Sequence, residues 1–207
     1  MKSLQTILVI LFISGSAYAD GVRFSVASNS TFNEQIEYSS KQEIPMIKIS
    51  IHWGEIYGFA QYMRDEMTYM GQKCYVGNDW GAGLGWEKSI VENFLLFVDA
   101  GIYWRGIDPD NNSFSEGIMY LFEKQFSKYK RPDFKEYDLE LEPTLGITFG
   151  VRYYFTKNFS MFSGVHLRSH DANIEGKGID SDPEARWTMK FKEREDRIFA
   201  GFSYDCF

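Results

Sequence analysis

Beyond its first nineteen residues the chain has no long apolar run. No later stretch approaches the roughly 20 residues that a membrane-spanning helix needs. A helical membrane bundle is therefore excluded, while a β-barrel is not, because barrel strands alternate and never look greasy in a sliding window. Basic residues are also scarce relative to acidic ones, 22 Lys and Arg against 29 Asp and Glu. A nucleic-acid partner calls for clustered Lys and Arg, so that class falls away. There are only two cysteines, Cys74 and Cys206. No Cys/His cluster carries metal-ligand spacing, and no residue set implies a cofactor. Asp108-Pro109-Asp110-Asn111-Asn112, which opens the longest interruption of the later pattern, resembles the start of a calcium loop. It lacks the required Gly and Glu, having Ser113 and Met119 instead, so it reads as a turn.

What is present begins with Met1 to Ala19. Lys2 gives a positive start, Ile7 to Ile13 is apolar, and Ala17-Tyr18-Ala19 is an A-x-A site. This is the pattern of a cleaved signal peptide over 1–19, with the mature domain at 20–207. The 188 residues after Ala19 suit one domain.

The segment Leu141 to Arg168 sets the rule for the rest. Its first arm places Leu141, Pro143, Leu145, Ile147, Phe149, Val151, Tyr153 and Phe155 at every second position, with Glu142, Thr144, Gly146, Thr148, Gly150, Arg152 and Tyr154 between them. That is a period of two, hence a strand with one apolar face and one small or polar face. Thr156-Lys157-Asn158 turns the chain. The second arm sets Phe159, Met161, Val165 and Leu167 against Ser160, Gly164, His166 and Arg168.

Six more strands follow the same rule. Strand one alternates Val22, Phe24, Val26 with Arg23, Ser25, Ala27. Strand two sets Ile47, Ile49, Ile51, Trp53 against Met46, Lys48, Ser50, His52. After Gly54-Glu55, strand three is read with Tyr57, Phe59 and Met63 outward and Gly58, Ala60, Tyr62, Arg64 and Glu66 inward. Gln61 is then a polar exception on the outer face. Met67 to Asp79 reads as a loop. Strand four carries Ala82, Leu84, Trp86 against Gly81, Gly83, Gly85, Glu87. Strand five carries Phe94, Leu96, Val98, Ala100, Ile102, Trp104 against Asp99, Gly101, Tyr103, Arg105. Ile107 to Asp138 is the longest loop. Within it Ile118, Leu121, Phe122, Phe126 and Tyr129 recur at helical steps, predicting a short helix over 115–131; it could touch lipid head groups, cap the barrel or bind a partner, and capping is favoured because Phe122 and Phe126 would otherwise face water. Ser169 to Glu195 reads as a charged loop. Strand eight alternates Ile198, Ala200, Phe202, Tyr204 with Arg197, Phe199, Gly201, Ser203, Asp205.

The connections alternate long and short. An even number of strands, short turns at one end and long loops at the other describe a transmembrane barrel with turns in the periplasm. The predicted fold is all-β, an eight-stranded antiparallel up-and-down barrel in the outer membrane of a Gram-negative envelope. The segments GITFGVRYYFTKNFSMFSGVHLR, WGAGLGWE and IFAGFSYDCF resemble the small OmpA-type outer-membrane barrels. The resemblance implies an aromatic terminal residue read by the outer-membrane assembly machinery, and Phe207 stands there.

The inward set is Arg23, Lys48, His52, Arg64, Glu66, Glu87, Asp99, Arg105, Glu140, Glu142, Arg152, His166, Arg168, Arg197 and Asp205. A barrel of eight strands holds little more than its own side chains. Buried charges must then pair, which predicts a closed, ion-paired lumen in place of a small porin. His170-Asp171-Ala172-Asn173 is similar to the His-x-Ser-Asn stretch of outer-membrane lipid A deacylases. Ala172 stands where the nucleophile belongs, so no catalytic residues are assigned. The expected partners are outer-membrane lipid, lipopolysaccharide, and an extracellular ligand or host surface met by the loops of a monomer. The cysteines fall at opposite ends of the barrel, so both are expected as free thiols.

Overall fold

The computed structural model describes residues 20–31, 37–38, 46–69, 72–107, 136–179 and 182–206. The signal-peptide stretch, the 115–131 helix, the Asp108 turn and Phe207 lie outside the described residues. The strands are β1 (Gly21–Thr31), β2 (Glu37–Tyr38), β3 (Met46–Trp53), β4 (Ile56–Tyr69), β5 (Gln72–Val91), β6 (Phe94–Ile107), β7 (Glu136–Leu141), β8 (Thr144–Tyr154), β9 (Phe159–Ile179) and β10 (Asp182–Cys206). Eight of them close on themselves in the order β1-β3-β4-β5-β6-β8-β9-β10, since β10 pairs with both β9 and β1. The short β2 and β7 are additions, paired to β4 and β9 respectively.

The register measures the stagger of the barrel. Val22 faces Cys206 directly across the β1–β10 seam. Followed the other way round, its line runs through Ile51, Gly58, Leu84, Ala100, Ile147 and Leu167 to Asp196, ten residues from Cys206. Such a shear on eight strands tilts them by about 40° and sets the backbone about 8 Å from the axis.

The polarity is that of a membrane barrel. Leu145 is 74% exposed, and Phe24, Ile47, Leu84, Val98, Ile147 and Phe202 are exposed with it. Lysine, arginine and carboxylate side chains are buried instead. A water-soluble barrel reverses both assignments. Tight turns join β3 to β4, β5 to β6 and β8 to β9. The first two use left-handed backbone at Gly54 (φ 62°) and Asn93 (φ 66°), residues that tolerate it. In the third, Thr156 Oγ1 accepts from the backbone N–H of Phe159 at 3.0 Å.

Strand β4 departs from the sequence reading. Gln61 is 7% exposed and Tyr57, Phe59 and Met63 are buried, while Ala60 and Arg64 are exposed. Its faces are the reverse of those expected, and the polar Gln61 was no exception to the alternation. The reason is volume. Neighbouring strands present glycine to the lumen: a Cβ on Gly85 would overlap the Tyr57 ring, and one on Gly101 would stand 2.9 Å from Phe59 Cζ. Bulky rings on β4 occupy the room those glycines leave. The same contact makes Gly101→Ser a crowding substitution, because the backbone oxygen of Ala82 is also only 2.8 Å from that Cβ.

Two stretches read as loops are strand. The β4–β5 ladder continues to Tyr69–Gln72, and the β9–β10 ladder continues to Ile179–Asp182. Both rise beyond the apolar belt. There the two sheet faces are not split between lipid and lumen, so the apolar/polar alternation that marks a strand fades while the backbone ladder persists. On the outer face of β10, Glu184, Arg186, Thr188 and Lys190 are exposed. Between β7 and β8, Glu142 and Pro143 belong to no strand and both are exposed. Pro143 has no N–H to offer a ladder, and the β6–β8 pairing begins just after it, at Tyr103–Thr144.

Candidate functional site: the charged lumen

The lumen is filled at three levels. The lowest lies at the end with the tight turns. Arg23 on β1 donates from Nε to Asp205 Oδ1 (2.5 Å) and forks onto both Glu87 oxygens (2.6 and 2.9 Å). Tyr154 donates to Asp205 Oδ2 at 2.6 Å. One guanidinium therefore ties β1, β5 and β10 together, with the planar fork that suits two carboxylates.

At the middle level Lys48 on β3 pairs with Asp99 on β6, and the Tyr57 hydroxyl donates to the same carboxylate. The Lys48 ammonium also sits 4.4 Å from the Phe59 ring centroid and 5.2 Å from that of Tyr57. These contacts replace part of the hydration it has lost. Arg152 lies between the two lower levels. It donates to Ser160 (3.0 Å) and Ser203 (2.7 Å), and its guanidinium stacks 5.1 Å from Phe162. Phe97, Phe162 and Phe199 close the section in mutual contact.

The upper level is built on Asp79. Arg105 grips it with two bonds, 2.7 and 2.9 Å long, Arg168 bonds its second oxygen, and Arg197 approaches to 3.7 Å. Asp79 is fully buried. Glu87 lies eight residues further down the same strand, so the lowest and highest levels stand roughly 20 Å apart along the axis. A cavity of about 20 Å³, measured at the centres of water-sized spheres, remains among the layers. That is room for one or two water-sized occupants, far short of a continuous path.

Of the expected lumen residues, Arg23, Lys48, His52, Glu87, Asp99, Arg105, Arg152, His166, Arg168, Arg197 and Asp205 are buried inside. Arg64 and Glu142 are not; both are exposed. Arg64 moved with the inverted β4, and Glu142 sits in the break beside Pro143. The side chains of Glu66 and Glu140 lie outside the described residues. Asp79 was missed because it was assigned to a loop. Its odd number, continuing Gly81, Gly83, Gly85 and Glu87, was the available signal.

Ser50, His52 and Glu87 form a relay on paper: Ser50 Oγ is 2.9 Å from His52 Nε2, and His52 Nδ1 is 3.4 Å from Glu87. Ser50 is 2% exposed and Arg23 occupies the carboxylate, so the arrangement offers no reachable nucleophile. His170 and Ala172 lie within β9, paired to Glu193 and Phe191. Cys206 is a free, exposed thiol opposite Val22. Cys74 belongs to β5, twelve residues above Trp86 and so roughly 30 Å higher along the axis. Among the described residues no group of three or more His, Cys, Asp or Glu is placed to hold a metal ion.

Inverted polarity, closure by eight strands and an ion-paired interior together define the class: a small outer-membrane β-barrel. No family model and no curated protein matches the chain. Solved structures match in fold. The outer membrane protein OprG from Pseudomonas aeruginosa is 10% identical, with 91% of this chain and 97% of that chain covered and a TM-score of 0.60. The outer membrane protein AlkL, solved in lipid bilayers, is 11% identical over 91% of this chain and 90% of that chain, with a TM-score of 0.50.

Proposed function

We propose that this barrel is a closed scaffold whose work is structural or adhesive, carried out by the strands and loops raised outside the membrane. The observation behind this reading is the filled lumen. Three levels of charge pairing and one ring of phenylalanines span the interior, and a pore would need several of these contacts broken at once. The barrel presents instead a tall hairpin. β10 runs for 25 residues, about 60 Å along a tilted strand, against an apolar belt about 25 Å tall. Much of it therefore stands clear of the lipid on a rigid base, where binding surfaces are usually placed. The proposed partners are lipopolysaccharide around the barrel and an extracellular or host ligand at the hairpin. Delivery to the membrane runs through the outer-membrane assembly machinery.

The test is to replace residues 172–191 by a two-residue turn, which leaves Asp171 and Lys192 as the closing pair. The shortened barrel should keep heat-modifiable gel migration, while cells bearing it lose adhesion to host surfaces. Unchanged adhesion with the hairpin gone would refute this role.

A further inference from the structure

The cavity in the lumen is lined by Asn29, Lys48, Asp99, Arg152, His166 and Arg197, among others. Three buried nitrogens of this lining carry no hydrogen bond: Asn29 Nδ2, Arg152 Nε and His166 Nε2. Arg152 and His166 are more than nine-tenths buried. His166 Nδ1 lies 2.8 Å from the Thr148 hydroxyl. With that hydroxyl donating to Nδ1, the proton sits on Nε2, so all three atoms are donors. The carboxylate and hydroxyl acceptors nearby are already engaged, and the remaining lining acceptor is the side-chain amide of Gln61. Asp99 takes Lys48 and Tyr57, and Ser25 is bonded to Ser203 at 2.8 Å. Arg152 reaches Glu87 only at 3.9 Å, and Glu87 already receives both arms of Arg23.

The charge of the lining points the same way. Lys48, Arg152 and Arg197 line the cavity with Asp99 as the one lining carboxylate, while Glu87 and Asp79 stand behind Arg152 and Arg197 at 3.9 and 3.7 Å. Buried donors without acceptors are costly, and cationic ones most of all. A water molecule accepts about two hydrogen bonds and brings no charge, whereas a halide accepts from every side.

The geometry points to a binding site for one small monovalent anion, chloride or bromide, in this cavity. The ion would accept from Arg152 Nε, His166 Nε2 and Asn29 Nδ2 and lower the positive potential above Lys48. It would act as a structural part of the plug, holding β1, β8 and β9 together from within.

The probe is bromide with the full-length barrel. Crystals grown in sodium bromide and measured at the bromine edge should give one anomalous peak in the cavity, in contact with Arg152 and His166. In detergent micelles at equal ionic strength, unfolding in urea should be about tenfold slower in chloride at ten times its dissociation constant than in gluconate. The Asn29→Ala barrel should lose most of that difference while keeping heat-modifiable migration. If it does not fold, the bromide map of the unaltered protein decides alone. Density in the cavity without anomalous signal would make the occupant water, and identical unfolding in chloride and gluconate would equally overturn the assignment.

Discussion

Asp99→Asn removes one charge from the middle of the lumen and almost nothing else. The substituted side chain has the same shape, and an amide oxygen still accepts from Tyr57. Lys48 is left with its side chain 9% exposed and no counter-charge within bonding distance. Removing one member of a buried pair typically costs 3–5 kcal/mol. The rings of Phe59 and Tyr57 around the ammonium return part of this, about 1 kcal/mol. The expected loss is therefore about 3 kcal/mol. The same reasoning predicts that Lys48→Met with Asp99→Asn is close to the original stability, within about 1 kcal/mol, because no buried charge remains. Urea unfolding in lipid vesicles, followed by the fluorescence of the five tryptophans, measures all three barrels. A single substitution costing under about 1 kcal/mol, or a double no better than the single, would mean that the pair is solvated and the lumen open to water.

On the lipid face, Val98→Lys or Ile147→Lys should cost about 2–4 kcal/mol and impair insertion. Ala60→Asp should impair insertion too while Gln61→Leu is tolerated, as membrane-fraction yields will show; the opposite ranking would restore the rejected orientation of β4. Gly101→Ser should cost about 1–3 kcal/mol in the same urea assay, since its Cβ meets Ala82 and Phe59, and Phe59→Leu in the same chain should recover part of it. A membrane-impermeant maleimide on intact cells should label Cys74 and spare Cys206; labelling of Cys206 alone would turn the barrel upside down in the membrane.

The barrel was legible because lipid contact imposes the period of two over whole strands. Strands with glycine or charge inside, such as Gly81 to Glu87 and Asp99 to Arg105, declared both faces at once. Strand β4 did not, because its lumen face carries Tyr57, Phe59 and Met63, residues as apolar as a lipid face. The glycines beside them on β5 and β6, Gly85 and Gly101, explain them, and which residues stand side by side is set by strand register, which the alternation of one strand does not carry. Gln61 was the one local clue. The same limit hid Asp79. Its partners Arg105, Arg168 and Arg197 come from β6, β9 and β10, so the cluster exists only once the sheet has closed. Arg23, Glu87 and Asp205 could be named as inward residues from alternation, while their meeting on one guanidinium could not. Above the belt the outer hairpin looked like loop, since neither of its faces touches lipid.

Conductance in planar bilayers tests the closed lumen most directly. The purified, heat-modifiable barrel, inserted at modest voltage in molar salt, should give no steady channels, because the three charged levels and the Phe97–Phe162–Phe199 section fill the lumen among the described residues. Stable, uniform conductance steps from the same preparation would contradict the plug and make the protein a small pore.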